Sequence, residues 1–105
     1  MGAVTMSGIT DIPDNELAHM SRAELLVLVE QSVASGQLTL GGATRILRKH
    51  IARLNQHEFA KLCGVSRRTL AAIEMDEGNP TVNSLNQVFK LFGLELGLQR
   101  IYRKG

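Results

Sequence analysis

Residues 54–74 read LNQHEFAKLCGVSRRTLAAIE, and this stretch decides the fold. It divides into two short helices hinged by a tight turn. Asn55 supplies a side-chain oxygen to cap the first helix, and Gly64 ends it. Ala60 is the small residue where two helices must cross closely. Ser66 caps a second helix, which opens with Arg67, Arg68 and Thr69. Phe59, Leu62, Val65, Leu70 and Ile73 are expected to face inward, with Cys63 at a core position of the pair.

Working toward the N-terminus, Thr39 is the preceding cap. From there Ala43, Ile46, Leu47, His50, Ile51 and Leu54 recur at helical spacing, while Arg45, Arg48, Lys49 and Arg53 take the remaining sides. Further back, Ser21 and Glu24 form a capping box, each satisfying a free backbone N–H of the other. Leu25, Leu26, Leu28, Val29 and Val33 give that helix an apolar face, and Gly36 stops it. A short helical turn is predicted from Asp14 through Met20. Residues 1–13 have no periodicity and read as a loose arm.

Toward the C-terminus, MDEGNP at 75–80 is a loop rich in turn formers. Thr81 then opens a helix with Val82, Leu85, Val88, Phe89 and Phe92 on its apolar positions and Gly93 as its stop. After Gly93 the period changes to two. Leu94, Leu96 and Leu98 alternate with Glu95, Gly97 and Gln99, the pattern of a strand with one buried face. No second strand candidate of equal quality exists. A lone strand must pair its backbone, so pairing with its copy in a dimer is predicted.

The 105 residues allow one domain with one modest core. An apolar share of 44% with three Phe, one Tyr and no Trp suits a helical protein packed by aliphatic side chains. No apolar run approaches the roughly 20 residues that span a bilayer, and the first residues lack the pattern of a secretory signal. The lone Cys63 cannot form an internal disulfide, so cytoplasm is the expected compartment. Charge is unevenly spread. Residues 1–39 carry one Arg against five carboxylates, net −4, whereas residues 40–105 carry eleven Lys or Arg against five, net +6. A basic region that holds the helix pair fits a polyanion-binding face.

The block from roughly Leu40 to Phe92 resembles the Cro/repressor (Xre) helix-turn-helix family. The likeness is carried by Leu47 and Arg48, by LNQHEFAKLCGVSRRTL, by Glu74, and by Asn79, Pro80 and Thr81 leading into the next helix. Within that family the trailing LFGLELGLQRI is similar to the HipB-type antitoxins, autorepressors paired with a HipA-type kinase. Two departures stand out. The span between Arg48 and Gln56 is about one residue longer than the usual family loop, and residues 1–39 exceed a minimal repressor domain.

The resemblance implies roles for particular residues. Asn55 and Gln56 would contact phosphate at a helix N-terminus, where free N–H groups and a partial positive charge favour anions. Ser66 and basic residues such as Arg45 would add backbone contacts. Arg67, Arg68 and Thr69 would read base edges, an Arg fork matching O6 and N7 of guanine, and Thr69 either setting its methyl against a thymine methyl or donating to phosphate. Ala72 would lie near the bases with only a methyl to offer. Glu74 would pair with a base from the first helix of the domain, either Arg48 or Lys49, as architecture. Catalysis is not expected. His19, His50 and His57 show no metal spacing with Cys63, and Gly41 with Gly42 lacks the flanks of a phosphate loop. No cofactor is implied.

The expected architecture is thus all-α, a lambda-repressor-like helix-turn-helix bundle. Residues 1–39 would form an N-terminal arm and helical extension, 40–93 the DNA-binding domain, and 94–105 a dimerisation strand and basic tail. The implied partners are double-stranded DNA with an inverted-repeat operator, a second copy of the chain, and a HipA-type kinase toxin, with no membrane. The competing expectation is a protein-interaction module whose helix pair is scaffold and whose acidic N-terminal helix docks a partner through Leu25, Leu28 or Val29.

Overall fold

The computed structural model describes residues 12–98. Six α-helices follow one another: α1 (Asp14–Leu17), α2 (Arg22–Ala34), α3 (Leu40–Ile46), α4 (Gln56–Cys63), α5 (Arg67–Glu74) and α6 (Val82–Phe89). A π-helical turn (Leu47–Ala52) continues α3, and a 3-10 turn (Lys90–Phe92) closes α6. The described residues contain no strand.

The helix starts are set by local side-chain chemistry. Ser21 accepts the Glu24 N–H while Glu24 accepts the Ser21 N–H, completing the capping box. Thr39, Asn55, Ser66 and Thr81 each accept a backbone N–H three residues on. Each such cap is worth about 1 kcal/mol. Gly64 and Gly93 end their helices with left-handed backbone, φ 78° and 74°.

The helices share one core. Phe59, Leu70 and Leu47 are fully enclosed, joined by Ala43, Cys63, Ile73, Leu85, Val88 and Phe92. The Phe59 and Phe92 rings meet tilted, centroids 6.1 Å apart. Leu17 of α1 and Leu25 and Val29 of α2 belong to this same core. The helical part of residues 1–39 is therefore built into the bundle rather than appended to it. Leu25 and Val29 are taken up by this packing, which removes them as docking residues, while Leu28 stays half-buried.

Three further expectations are corrected. Leu62 is 58% exposed, and Cys63 and Ala60 fill the inward stripe beside Phe59 instead. At about 100° per residue, positions 59, 60 and 63 share a face and position 62 falls off its edge. The helical turn expected through Met20 stops at Leu17.

The strand expected over Leu94, Leu96 and Leu98 does not form within the described chain. Leu94 and Leu96 lie against the protein's own core, and the Leu96 N–H donates to Asn86 Oδ1 at 2.8 Å. A side chain thus satisfies the backbone group that a partner strand was expected to take. Leu98 is left wholly exposed. Residues 1–11 and 99–105, including the rest of the expected tail, lie outside the described residues.

Candidate nucleic-acid interface

The π turn is the local event that arranges the site. Its closing bonds run from the Arg53 and Leu54 N–H groups to the Arg48 carbonyl, at 2.7 and 3.3 Å. A π turn takes in one extra residue and shifts the helical phase. It brings Arg48, and not Lys49, to face Glu74. Arg48 turns inward, with its side chain 13% exposed, whereas Lys49 turns away.

Arg48 holds the C-terminal end of α5. Its Nε donates to Glu74 Oε2 at 2.6 Å and its Nη2 to Glu74 Oε1 at 3.0 Å, while Nη1 donates to the Leu54 carbonyl at 3.0 Å. Gln56 adds a third donor, Nε2 to Glu74 Oε1 at 3.1 Å. Glu74 is 5% exposed, so the carboxylate is nearly desolvated and fully paired. Such a pair is bidentate and geometrically specific. It ties the π turn, the start of α4 and the end of α5 at one point. The Gln56 amide, expected at phosphate, is oriented by Glu74; its NH2 has a second donor beyond that bond.

A second clasp, between the loop after α5 and the start of α3, has no counterpart in the sequence reading. Asp76 takes left-handed backbone, φ 55°, and its carboxylate accepts the Gly41 N–H at 2.9 Å and the Thr39 hydroxyl at 2.7 Å. It therefore caps α3 from 35 residues away. Gly41 must lack a side chain, because a Cβ there would sit 2.6 Å from Asp76 Oδ1 and closer still to the Ile73 carbonyl. The signal available in sequence was only an Asp in a turn-rich loop and two adjacent glycines.

A third contact joins α1 to the far side of the π turn. Asp14 accepts from Lys49 Nζ at 3.0 Å and lies 3.4 Å from His50 Nε2. The hydrogen bond and charge of Lys49 hold the Asp14 carboxyl below its ordinary 3.8. Cys63, closed into the core, has its thiol pushed up to about 11 by burial.

Held at its far end, α5 presents its N-terminus to solvent. Arg67 and Arg68 are exposed, and Thr69, Ala71 and Ala72 are half-buried. The inward faces are Leu70 and Ile73. Ser66 donates its hydroxyl proton to Thr69 Oγ1 at 2.8 Å and accepts the Thr69 N–H. Its only O–H is thereby engaged, which transfers the donor role to Thr69, whose own proton remains available. Asn55 is exposed, with its carbonyl oxygen given to the Glu58 N–H. Arg45 is exposed on α3. The described residues contain no group of three or more His, Cys, Asp or Glu side chains that could hold a metal ion. Nor does any helix among them have the length and apolarity to cross a membrane.

Two short helices at a tight turn, the second anchored by its inner face and displaying arginines at its start, define a helix-turn-helix DNA-binding domain. The helix-turn-helix family model of Cro/C1 type matches residues 45–99, just over half of the chain, and the protein belongs to that family of transcription regulators. No curated protein and no solved structure matches the chain.

Proposed function

We propose that the protein is a sequence-specific repressor that binds an inverted-repeat operator as a homodimer. The observation that carries this reading is α5 itself. Its inner residues are buried and Glu74 is paired, so Arg67 and Arg68 project from a helix anchored to the bundle along its inner face and at its far end. An Arg fork that meets O6 and N7 of guanine discriminates that base by roughly 1–3 kcal/mol per good pair. Arg67, Arg68 and Thr69 read base edges, with Ala72 as a methyl surface. Asn55, the remaining Gln56 donor and Arg45 hold the backbone.

The second copy is required by the size of the site: one eight-residue helix reads only a few base pairs, and a two-fold pair reads two half-sites about 34–36 Å apart. Leu98, wholly exposed beside the half-buried Leu94 and Leu96, supports a contact between copies at the C-terminal segment. The finer reading is a HipB-like antitoxin that represses its own operon and neutralises a HipA-type kinase. It is supported by the LFGLELGLQRI resemblance, and the absence of a kinase on co-purification from the native host would end it.

A hydroxyl-radical footprint on the duplex upstream of the protein's own coding region tests the main reading. Two protected patches one helical turn apart, at two chains per duplex, are expected. A single patch, or uniform protection, would contradict it.

One observation favours a protein-docking role instead. Val27 is 51% exposed, and with Met20, Ala23 and Leu28 it lines a shallow apolar depression on α2. Binding through that surface would be nearly indifferent to salt, whereas DNA binding weakens steeply with it.

A further inference from the structure

The described chain turns left-handed at six positions: Gly36, Gly64, Gly78, Gly93, Arg53 and Asp76. Glycine adopts this conformation freely, and a residue with a Cβ adopts it against a steric clash. Asp76 has a reason to be there, since its carboxylate caps α3 through Gly41 and Thr39. Arg53 has none within the fold. Its backbone sits at φ 56°, ψ 44°, it is exposed, and its guanidinium has no hydrogen-bond or ion-pair partner among the described residues. Only its backbone is used, the N–H donating to the Arg48 carbonyl, and glycine would serve that purpose better.

The charges around it sharpen the point. Of the four Lys and Arg residues between Leu40 and Asn55, Arg48 is spent on Glu74 and Lys49 on Asp14. Arg53 and Arg45 are the two left on the surface. Arg53 stands two residues before Asn55, at the entrance to α4. In a helix-turn-helix docked with α5 in the major groove, the helix preceding α5 crosses the phosphate backbone. A strained position whose side chain the fold does not use, carrying an unspent charge beside that crossing, calls for a functional explanation.

We propose that Arg53 is a phosphate anchor, a contact that fixes the protein's register on DNA without reading sequence. The proposal rests on the DNA-binding reading above and adds to it a residue outside the helix pair. The strain at this turn is the stability given up for a charge at the backbone crossing.

Arg53→Gly in the full chain tests this, because glycine adopts the left-handed conformation freely and so relieves the strain. The melting temperature is expected to rise. Affinity for the upstream duplex and for a random duplex of equal length should fall by the same factor. That factor is about eightfold at 0.1 M salt for one electrostatic contact, and the slope of log affinity against log salt should shrink by about one. Arg53→Lys should recover most of the binding, since a phosphate contact needs charge more than a fork. A more stable Arg53→Gly with unchanged affinity and slope would overturn the proposal, and so would a loss confined to the upstream duplex. Wild-type protein that fails to bind either duplex at low salt would instead remove the DNA-binding reading, and the anchor with it.

Discussion

Arg48 and Glu74, 26 residues apart, meet in a two-pronged ion pair that leaves the carboxylate 5% exposed. This pair fastens the C-terminal end of α5 to the π turn that continues α3. It makes the recognition helix a fixed part of the bundle rather than a surface element free to rock.

Removing one partner strands the other charge. Arg48→Ala is therefore expected to destabilise the fold by about 3 kcal/mol, the usual cost of breaking a buried pair. Arg48→Met together with Glu74→Leu should cost much less, because no charge is left without a partner. Urea titrations of the three proteins check this. Equal losses for the single and double variants would show that the pair's packing, and not its charge, holds α5.

The clasp at the other side of α5 gives a second test. Gly41→Ala forces a methyl against Asp76 Oδ1 and the Ile73 carbonyl, and overpacking of this kind costs about 1–3 kcal/mol. Asp76→Ala loses the α3 cap and keeps the left-handed strain, and about 1–2 kcal/mol is expected. Asp76→Asn, which tolerates the turn and keeps an acceptor, should fall between Asp76→Ala and wild type. Thermal melts of the three variants give the order.

How much of this was legible follows from the range of the interactions. The caps at Ser21, Thr39, Asn55, Ser66 and Thr81 were readable because each is a contact three residues long. The helix pair and the exposed Arg67 and Arg68 were readable for the same reason. The choice of Arg48 over Lys49 was not, because it turns on the phase shift of a π turn that no local pattern announces. Asp76 capping α3 was hidden by its 35-residue separation from Gly41. The alternation of Leu94, Leu96 and Leu98 misled because period two marks any extended chain with one covered face. Here the cover is the chain's own core, and Asn86 supplies the backbone partner.

Cys63 supplies a chemical prediction. Its thiol, enclosed in the core and pushed up to about 11, stays neutral where an unfolded thiol near 9 ionises. A raised pKa favours the fold below the unfolded value and loses that contribution as pH climbs through the folded one. Stability should therefore decline between about pH 9 and 11 by a component that Cys63→Ser, which has no thiol to ionise, does not show. Iodoacetamide at pH 8 should label the native protein no faster than it unfolds. Prompt stoichiometric labelling would contradict a buried thiol.

Leu98 separates the dimer from the fold. It is wholly exposed in the single chain, so Leu98→Asp should leave the melting temperature of a dilute monomer unchanged and weaken self-association. Analytical ultracentrifugation measures that directly. An unaltered dimer constant would move the contact between copies away from this segment.

The central claim is that α5 reads bases through Arg67, and fluorescence anisotropy of wild type and Arg67→Ala tests it most directly, on the upstream duplex and on random duplex at matched salt. The account predicts a loss of about 1–3 kcal/mol on the upstream duplex, relaxed preference at one base position, and little change on random DNA. An equal loss on both duplexes would contradict it and make Arg67 a backbone contact.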